Sequence, residues 1–187
     1  MQSMFKLDAK TGLVSEARQV KSPNCDDRPS CIEPSLIVVH SISLPPGRFG
    51  GPWIDQLFTN CLPRDKHPYF AEIEGMEVSA HFLIRRDAEL VQYVPVNRRA
   101  WHAGASCYDG RERCNDFSVG IELEGDDDVP YEAQQYECLA LLVATLRGAY
   151  ESLAAADIVG HSDIAPGRKT DPGAAFDWQN LAKLLAR

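Results

Sequence analysis

Apolar residues along the chain form several short runs that have the length and composition of strands. Residues 36–42, LIVVHSI, are continuously apolar and rich in β-branched side chains, which predicts a buried central strand. Residues 79–96 predict two strands joined by the polar turn RRDAE, that is, a hairpin. Residues 117–125, FSVGIELEG, alternate between apolar and polar positions, and residues 157–161, DIVGH, predict a short strand.

Other stretches have the spacing of amphipathic helices. Helices are predicted over residues 53–62, 131–153 and 176–187, of which 131–153 is the longest. Residues 65–78, DKHPYFAEIEGMEV, and most of 100–116 are predicted to be loops. Because strands and helices alternate along the chain, the predicted class is α/β, with both hairpin and crossover connections.

Composition limits the size of the protein and the partners it is expected to bind. The chain has 187 residues, of which 44% are hydrophobic, and this is enough for one domain with a substantial core. Its formal net charge of -8 and the lack of a basic face argue against a nucleic-acid partner and favour a small molecule. We therefore expect a single domain over residues 1–187, with a catalytic core at about 35–182.

The chain shows no signal for export or membrane insertion. Its first twenty residues contain no apolar segment of the secretory type, and no run approaches the roughly 18 apolar residues that span a bilayer. The expected location is the cytoplasm, with no membrane partner. The 6 cysteines are scattered, without a CxxC pair, so reduced thiols are expected rather than disulfides or a cysteine zinc site.

Three histidines lie at or near predicted strand ends, where their side chains can converge. They are His40, His81 and His161, and Asp171 follows His161 by ten positions across two proline-containing turns. Two histidines and one aspartate would leave the fourth position of a zinc ion open for water, as catalytic sites do. Each histidine taken singly is more simply explained as an ordinary core or surface residue.

Two further residues are candidates for the chemistry beside such a metal. Glu122 lies on the polar side of an apolar strand and could take a proton from a zinc-bound water, unless that side is solvated. Glu124 has the same strand phase, so alternation does not distinguish the two carboxylates. Lys169 could stabilise an oxyanion, although a lysine in a loop is more often an exposed surface residue.

Residues 99–116 contain candidate ligand contacts outside the metal site. Trp101 could form a stacking wall for a sugar or a peptide, or could serve as a core anchor. Arg111 and Arg113 could pair with a ligand carboxylate, or with the acidic residues of their own loop.

Several long segments of the chain resemble one family. VVHSISLPPGRFGGPWID, VSAHFLIRRDAELVQYVP, RAWHAGASCYDGRERCNDFSVGIELEG and GHSDIAPGRKTDPG occur in the same order as in the N-acetylmuramoyl-L-alanine amidases of cytoplasmic cell-wall recycling. These belong to the amidase_2 superfamily, which also includes phage-type amidases and peptidoglycan recognition proteins. The resemblance implies a central mixed β-sheet flanked by helices.

The resemblance also implies an activity and its residues. The reaction would be hydrolysis of the amide between the lactyl group of 1,6-anhydro-N-acetylmuramic acid and L-alanine of the stem peptide, with an indirect effect on β-lactamase induction. One zinc ion (Zn²⁺) per chain, a muropeptide substrate and a monomer are expected. The implied residues are the ligands His40, His161 and Asp171, the catalytic Glu122 and Lys169, and the substrate contacts Ser41, Trp101, Arg113 and Ala165.

Three positions depart from the family pattern. Ser41, Glu77 and Gly167 stand where the family usually has asparagine, arginine and glutamate. None of them is an implied ligand or catalytic group. We expect these departures to affect substrate affinity and not the type of reaction.

Overall fold

The structure, a computed structural model, describes residues 5–187 of the chain. Residues 1–4 lie outside this part. They belong to the first twenty residues, which are expected to lack an export signal. The strands are β1 (Leu7–Asp8), β2 (Leu13–Val14), β3 (Arg18–Gln19), β4 (Cys25–Asp27), β5 (Leu36–Ile42), β6 (Phe82–Ile84), β7 (Leu90–Gln92), β8 (Arg98–Ala100), β9 (Cys107–Tyr108), β10 (Arg111–Glu112), β11 (Ser118–Glu124) and β12 (Asp157–Gly160). The helices are α1 (Trp53–Phe58), α2 (Pro68–Glu72), α3 (Ala133–Ala149), α4 (His161–Ile164) and α5 (Trp178–Leu185).

A six-stranded sheet forms the centre of the molecule, in the order β12-β5-β11-β6-β7-β3. β12, β5, β11 and β6 run parallel to one another, whereas β6 and β7 form the antiparallel hairpin predicted for residues 79–96. β3 then pairs with β7 in parallel. The mixed sheet of a single α/β domain is therefore confirmed.

Helices cover both faces of this sheet because the strands carry apolar side chains on both sides. Val119, Ile121 and Leu123 of β11 pack in the core cluster that contains the buried face of α3 and Leu181 of α5. On the other face, Leu83 of β6 packs with apolar residues of α1 and α2. Burial of both faces explains why the central strands are almost wholly apolar.

The register between β5 and β11 sets up the functional site. Glu122 lies directly beside His40 in this parallel pair, so both side chains point to the same face. The alternate residues Val39 and Ile121 pack with α3, so His40 and Glu122 lie on the face opposite to that helix. The prediction that Glu122 and Glu124 share one face is confirmed, but that face is buried rather than solvated.

The structure corrects the loop predicted for residues 65–78. A helix, α2, begins at Pro68 within it. His67 caps this helix by accepting a hydrogen bond from the backbone N–H of Tyr69 at 3.2 Å, and proline suits the first helical position because no N–H is needed there. A helix of 5 residues is too short for hydrophobic periodicity to reveal it.

Apart from β5, the remaining predicted elements are present with shifted ends. Strand β5 coincides with residues 36–42, and the long helix is confirmed between Ala133 and Ala149, where Glu132 and Gln135 form a capping box at its start. His161 begins α4 instead of ending a strand. All 6 cysteines are free, as expected.

Candidate metal centre and active site

Three side chains converge at the carboxyl ends of the parallel strands. His40 Nδ1 lies 3.0 Å from His161 Nδ1 and 3.2 Å from Asp171 Oδ2, and the distance from His161 Nδ1 to Asp171 Oδ2 is 3.0 Å. Both histidines are buried and Asp171 is half-buried. The predicted ligands His40, His161 and Asp171 therefore form one compact triangle of donor atoms.

Neighbouring strands and one closed loop bring this triangle together. His40 lies near the end of β5, and His161 directly follows β12, the adjacent parallel strand. The loop after His161 returns because the backbone N–H of Ser162 donates to the carbonyl oxygen of Asp171 at 2.9 Å. The Tyr131 hydroxyl donates to the next carbonyl, that of Pro172, at 2.8 Å and fixes the end of the loop.

The triangle has the donor set and the size that a zinc ion requires. Ligands about 2.0–2.1 Å from a tetrahedral zinc ion are separated from one another by about 3.3 Å, close to the distances between these donors. Burial lowers the pKa of His40 to about 4, which keeps its ring neutral. Burial alone would raise the pKa of Asp171, but hydrogen bonds from His161 and His40 outweigh it and lower that pKa, which keeps the carboxylate ionised.

Groups behind the two histidines hold their rings in place. His40 Nε2 lies 2.8 Å from His102 Nδ1, and His161 Nε2 lies 3.2 Å from the carbonyl oxygen of Ala103. Burial lowers the pKa of His102 well below its ordinary value, so this ring is also neutral. His102 was not predicted from the sequence. Its position next to Trp101 was the available signal, but the contact with His40 depends on the fold.

Glu122 is a buried carboxyl group with an unused oxygen. The residue is 8% exposed, and its Oε2 atom has no hydrogen-bond partner. Burial, followed by the negative charge of Asp171, raises the pKa of Glu122 well above its ordinary value, and Lys169 acts in the opposite direction. A carboxyl group with a raised pKa is suited to take up and release a proton during catalysis.

Glu124 on the same strand is fully engaged in the structure. Its Oε1 atom accepts a hydrogen bond from the backbone N–H of Gly50 at 2.6 Å and pairs with Arg85 at 3.4 Å. Its Oε2 atom accepts from the backbone N–H of Arg86 at 3.3 Å. The fold thus separates two carboxylates that strand alternation could not distinguish, and it leaves only Glu122 facing the metal triangle.

An open cavity of about 630 Å³ lies over the triangle. Its floor contains the three donor residues and Glu122, and Ser41 and the exposed Lys169 also line it. Further lining residues are Tyr69, Met76, Asp126, Asp127 and Asp128. The cavity can hold an elongated, polar small molecule against the donor atoms.

The other predicted substrate contacts lie outside this cavity. The indole N–H of Trp101 donates to Asp26 at 3.2 Å. The Arg113 side chain is 70% exposed and pairs with Asp116 at 3.3 Å. Arg113 and Ala165 line a separate depression. The structure therefore brings only Ser41 of this group to the metal triangle.

The remaining polar residues of the region have structural contacts. His81, the third histidine considered, accepts a hydrogen bond from the backbone N–H of Gly120 at 3.0 Å and lies away from the donor triangle. Arg168 donates to the carbonyl oxygens of Ala103 at 2.7 Å and Ala105 at 2.6 Å. These contacts stabilise the loops that surround the site.

Known proteins resemble this chain over most of its length. Residues 30–174 match the N-acetylmuramoyl-L-alanine amidase family Amidase_2. The 1,6-anhydro-N-acetylmuramyl-L-alanine amidase AmpD of Salmonella typhimurium (strain SL1344) is 59% identical over 175 residues, which cover 94% of this chain and 93% of that protein.

Solved structures agree with this match. A crystal structure of a selenomethionine derivative of AmpD superposes with a TM-score of 0.92 at 57% identity, covering 96% of this chain and 99% of that one. The amidase AmiD from E. coli, solved with anhydro-N-acetylmuramic acid-L-Ala-D-gamma-Glu-L-Lys, gives a TM-score of 0.57 at 29% identity, covering 84% and 60%. Because the family match extends over most of the chain and includes the donor triangle and Glu122, the chain belongs to the N-acetylmuramoyl-L-alanine amidase family.

Proposed function

We propose that this protein hydrolyses the amide bond between the lactyl group of 1,6-anhydro-N-acetylmuramic acid and L-alanine of the stem peptide, in peptidoglycan recycling. The observation that carries the proposal is the triangle of His40, His161 and Asp171 beside the unpaired Glu122 carboxyl. The names of its AmpD relatives and the ligand of the AmiD structure support the choice of substrate.

We propose one zinc ion per chain, held by His40 Nδ1, His161 Nδ1 and Asp171 Oδ2. Two neutral imidazoles and one carboxylate are a common catalytic zinc set, and three protein ligands leave a position open to the cavity. When bound, zinc polarises a carbonyl group and lowers the pKa of water to near neutrality.

In this mechanism Glu122 moves the proton. Its carboxylate accepts a proton from the attacking water, whose oxygen forms the new bond to the lactyl carbonyl carbon. Glu122 then gives that proton to the L-alanine nitrogen as the C–N bond breaks. The products are the free peptide amine and the anhydro sugar with a lactyl carboxylic acid, which then releases its remaining proton to become the carboxylate. The raised pKa of Glu122 supports both steps, because the group must take up the proton and release it again.

Lys169 stabilises the negative charge that develops on the carbonyl oxygen. Its side chain lines the cavity from the same loop that carries Asp171, and its ammonium group is free to donate a hydrogen bond there. A preorganised donor at this position lowers the barrier to attack, because the charge appears only in the transition state.

Substrate contacts extend outward from the reacting bond. Ser41 binds the substrate near the metal, since it lines the cavity. We assign Arg113 and Ala165, in the neighbouring depression, to the stem peptide, whose carboxylates suit the exposed guanidinium group. Trp101 is proposed as a stacking wall for a sugar or a peptide.

We further propose that the protein is a cytoplasmic monomer, with its catalytic core at about residues 35–182. Free thiols at all 6 cysteines suit a reducing compartment. Among residues 5–187, no helix combines the length and hydrophobicity needed to span a bilayer.

Dialysis against a chelator followed by addition of zinc tests this function. Incubation with a defined anhydromuropeptide should release the peptide only in the untreated and zinc-restored samples. Polymeric peptidoglycan should be a poor substrate in parallel assays. Full cleavage after chelation would contradict the proposed metal chemistry, and binding without cleavage in every sample would instead identify a muropeptide-binding protein.

A further inference from the structure

We propose that Glu124 is a positioning residue for substrate binding, because it holds one wall of the cavity over the donor triangle in place. This wall consists of residues 43–49, here called the wall loop. The inference rests on the proposed function, since the muropeptide has to bind in this cavity. It gives Glu124 a role that is separate from the proton transfer proposed for Glu122.

The wall loop contributes three residues to the cavity, namely Ser43, Leu44 and Pro46. Leu44 is buried and packs in the apolar cluster that contains Leu57 and Ile73. Both of these residues also line the cavity. The shape of the cavity on its apolar side therefore depends on where the wall loop lies.

The end of β11 holds the wall loop at both of its ends. At the start of the loop, the backbone N–H of Gly125 donates to the carbonyl oxygen of Ile42 at 3.0 Å. At the other end, the backbone N–H of Gly50 donates to Glu124 Oε1 at 2.6 Å. The first contact joins two backbone groups and needs no side chain. The second requires an acceptor on residue 124, and Glu124 is only 2% exposed, so water does not compete for it.

Arg86 adds a second contact at the same end of the wall loop. Its guanidinium group lies over the ring of Phe49, with Cζ 4.5 Å from the ring centroid. The guanidinium group also pairs with Glu132 and donates to the carbonyl oxygen of Pro130. The backbone N–H of Arg86 donates to Glu124 Oε2 at 3.3 Å. Glu124 therefore contacts both groups that hold this end of the loop.

The middle of the wall loop is held by contacts within the loop itself. Its residues Pro46, Gly47 and Arg48 are exposed. The backbone N–H of Gly47 donates to Ser43 Oγ at 2.8 Å, and that of Arg48 donates to the carbonyl oxygen of Pro45 at 2.9 Å. Such bonds preserve the shape of the loop but do not fix its place in the molecule. Loss of the contact at Gly50 should therefore allow the loop to move as a unit.

Amide hydrogen exchange of Gly50 tests this contact in the wild-type protein. An N–H that donates to a buried carboxylate should exchange at least about a hundredfold more slowly than in an unstructured peptide. Exchange at the unstructured rate would overturn the inference. The measurement needs no variant, so it decides the question even if a substitution at residue 124 prevents folding.

Steady-state kinetics of two variants on a defined anhydromuropeptide test the effect on binding. Glu124→Ala removes the acceptor, and if the wall loop then keeps its place for about a tenth of the time, KM rises about tenfold. Because the loop carries no catalytic group, kcat should stay within about twofold of the wild type, and zinc content should not change.

Glu124→Gln provides the conservative rescue. It keeps one amide oxygen, which should take the shorter of the two backbone bonds, that to Gly50, and so keep KM close to that of the wild type. An unchanged KM in the folded alanine variant would overturn the inference. Equal increases of KM in the alanine and glutamine variants would overturn it as well.

Arg18→Gln is the matched control for loss of stability. Arg18 pairs with Asp55 of α1 at 3.0 Å and with Glu89 of the β6–β7 hairpin at 2.8 Å, and neither partner belongs to the wall loop. Glu124→Ala and Arg18→Gln should both lower the melting temperature, and only Glu124→Ala should raise KM. An equal rise in both would mean general destabilisation and would overturn the inference.

Failure of the proposed function gives a different result. A wild type that binds zinc but leaves muropeptides intact would refute that function alone. The affinity of the same variants for the uncleaved anhydromuropeptide, measured by calorimetry, would then replace KM. A tenfold weaker affinity of Glu124→Ala would support the positioning role, and an affinity equal to that of the wild type would overturn it.

Discussion

At the scale of single residues, Glu122 and Glu124 lie two positions apart on β11 but differ in the partners of their carboxyl groups. Glu124 is paired with Arg85 and with backbone N–H groups, whereas Glu122 has a buried oxygen without a partner. A buried carboxyl oxygen without a hydrogen-bond partner costs free energy. A residue with a purely structural role would gain nothing to offset this cost. The difference supports the proposed role of Glu122 in proton transfer.

Replacement of Glu122 separates catalysis from metal binding. Glu122→Gln should lower kcat by on the order of a hundredfold or more, because the shape is kept and the base is lost. Zinc content should not change. Glu124→Gln is the control: it should lower the melting temperature by weakening the pair with Arg85, with a much smaller effect on kcat. Similar kcat values for the two variants would contradict the assignment.

Lys169 is expected to act only in the transition state. Lys169→Ala should leave zinc bound and reduce turnover by about a hundredfold or more, as removal of an oxyanion donor does. Lys183→Ala, at an exposed position of α5, controls for loss of a surface charge. Near-normal turnover of the Lys169 variant would show that another group stabilises the oxyanion.

Asp163 lies in α4 and Asp171 in the loop that follows it, and the two provide a matched pair for testing metal binding. Asp171→Ala should lose zinc together with activity, because one of the three donors is removed. Asp163 accepts a hydrogen bond from the backbone N–H of Gly160 at 2.7 Å and is not one of the three proposed metal ligands. Asp163→Ala should therefore retain zinc. Elemental analysis of the purified proteins measures the difference, and full zinc occupancy without Asp171 would rule it out as a ligand.

At the scale of elements, the site depends on the close packing of β11 against the ring of His102. Gly120 provides the space, since an added Cβ atom would lie 2.5 Å from that ring. Gly120→Ala should therefore destabilise the protein by about 1–3 kcal/mol, as overpacking does, and should weaken zinc binding.

The matching substitution at a glycine with free space is Gly148→Ala in α3, where nothing lies within 4 Å of the added atom. It should stabilise the protein by about 0.5–1 kcal/mol, because alanine favours a helix. Denaturant unfolding of both variants gives the comparison. A stable Gly120 variant with normal zinc affinity would show that the ring of His102 can move without consequence.

The same elements show how far sequence reasoning extends. β5 was predicted with its correct ends because a continuous β-branched run has few alternatives. α2 was missed because its signal consists of a histidine cap and one proline. The donor types at His40, His161 and Asp171 were visible in the sequence. Their distances depend on strand register and loop closure, and the partnership of His40 with His102 joins segments 62 residues apart.

At the scale of the whole molecule, the candidate active site lies at one end of the central sheet. Helices α3 and α5 cover one face, and the donor triangle occupies the other face at the carboxyl ends of β5 and β12. This is where open α/β sheets commonly bind ligands. The identity of the bond that is cleaved follows from the family, because the donor triangle and Glu122 alone do not specify a substrate.

Mass spectrometry of a reaction in water enriched in oxygen-18 tests that central claim most directly. A defined anhydromuropeptide and the zinc-loaded protein should yield two products. The account predicts one heavy oxygen in the lactyl carboxylate of the anhydro sugar and none in the released peptide, which begins with a free L-alanine amine. Heavy oxygen within the peptide, or an intact lactyl–alanine bond after incubation, would contradict the account.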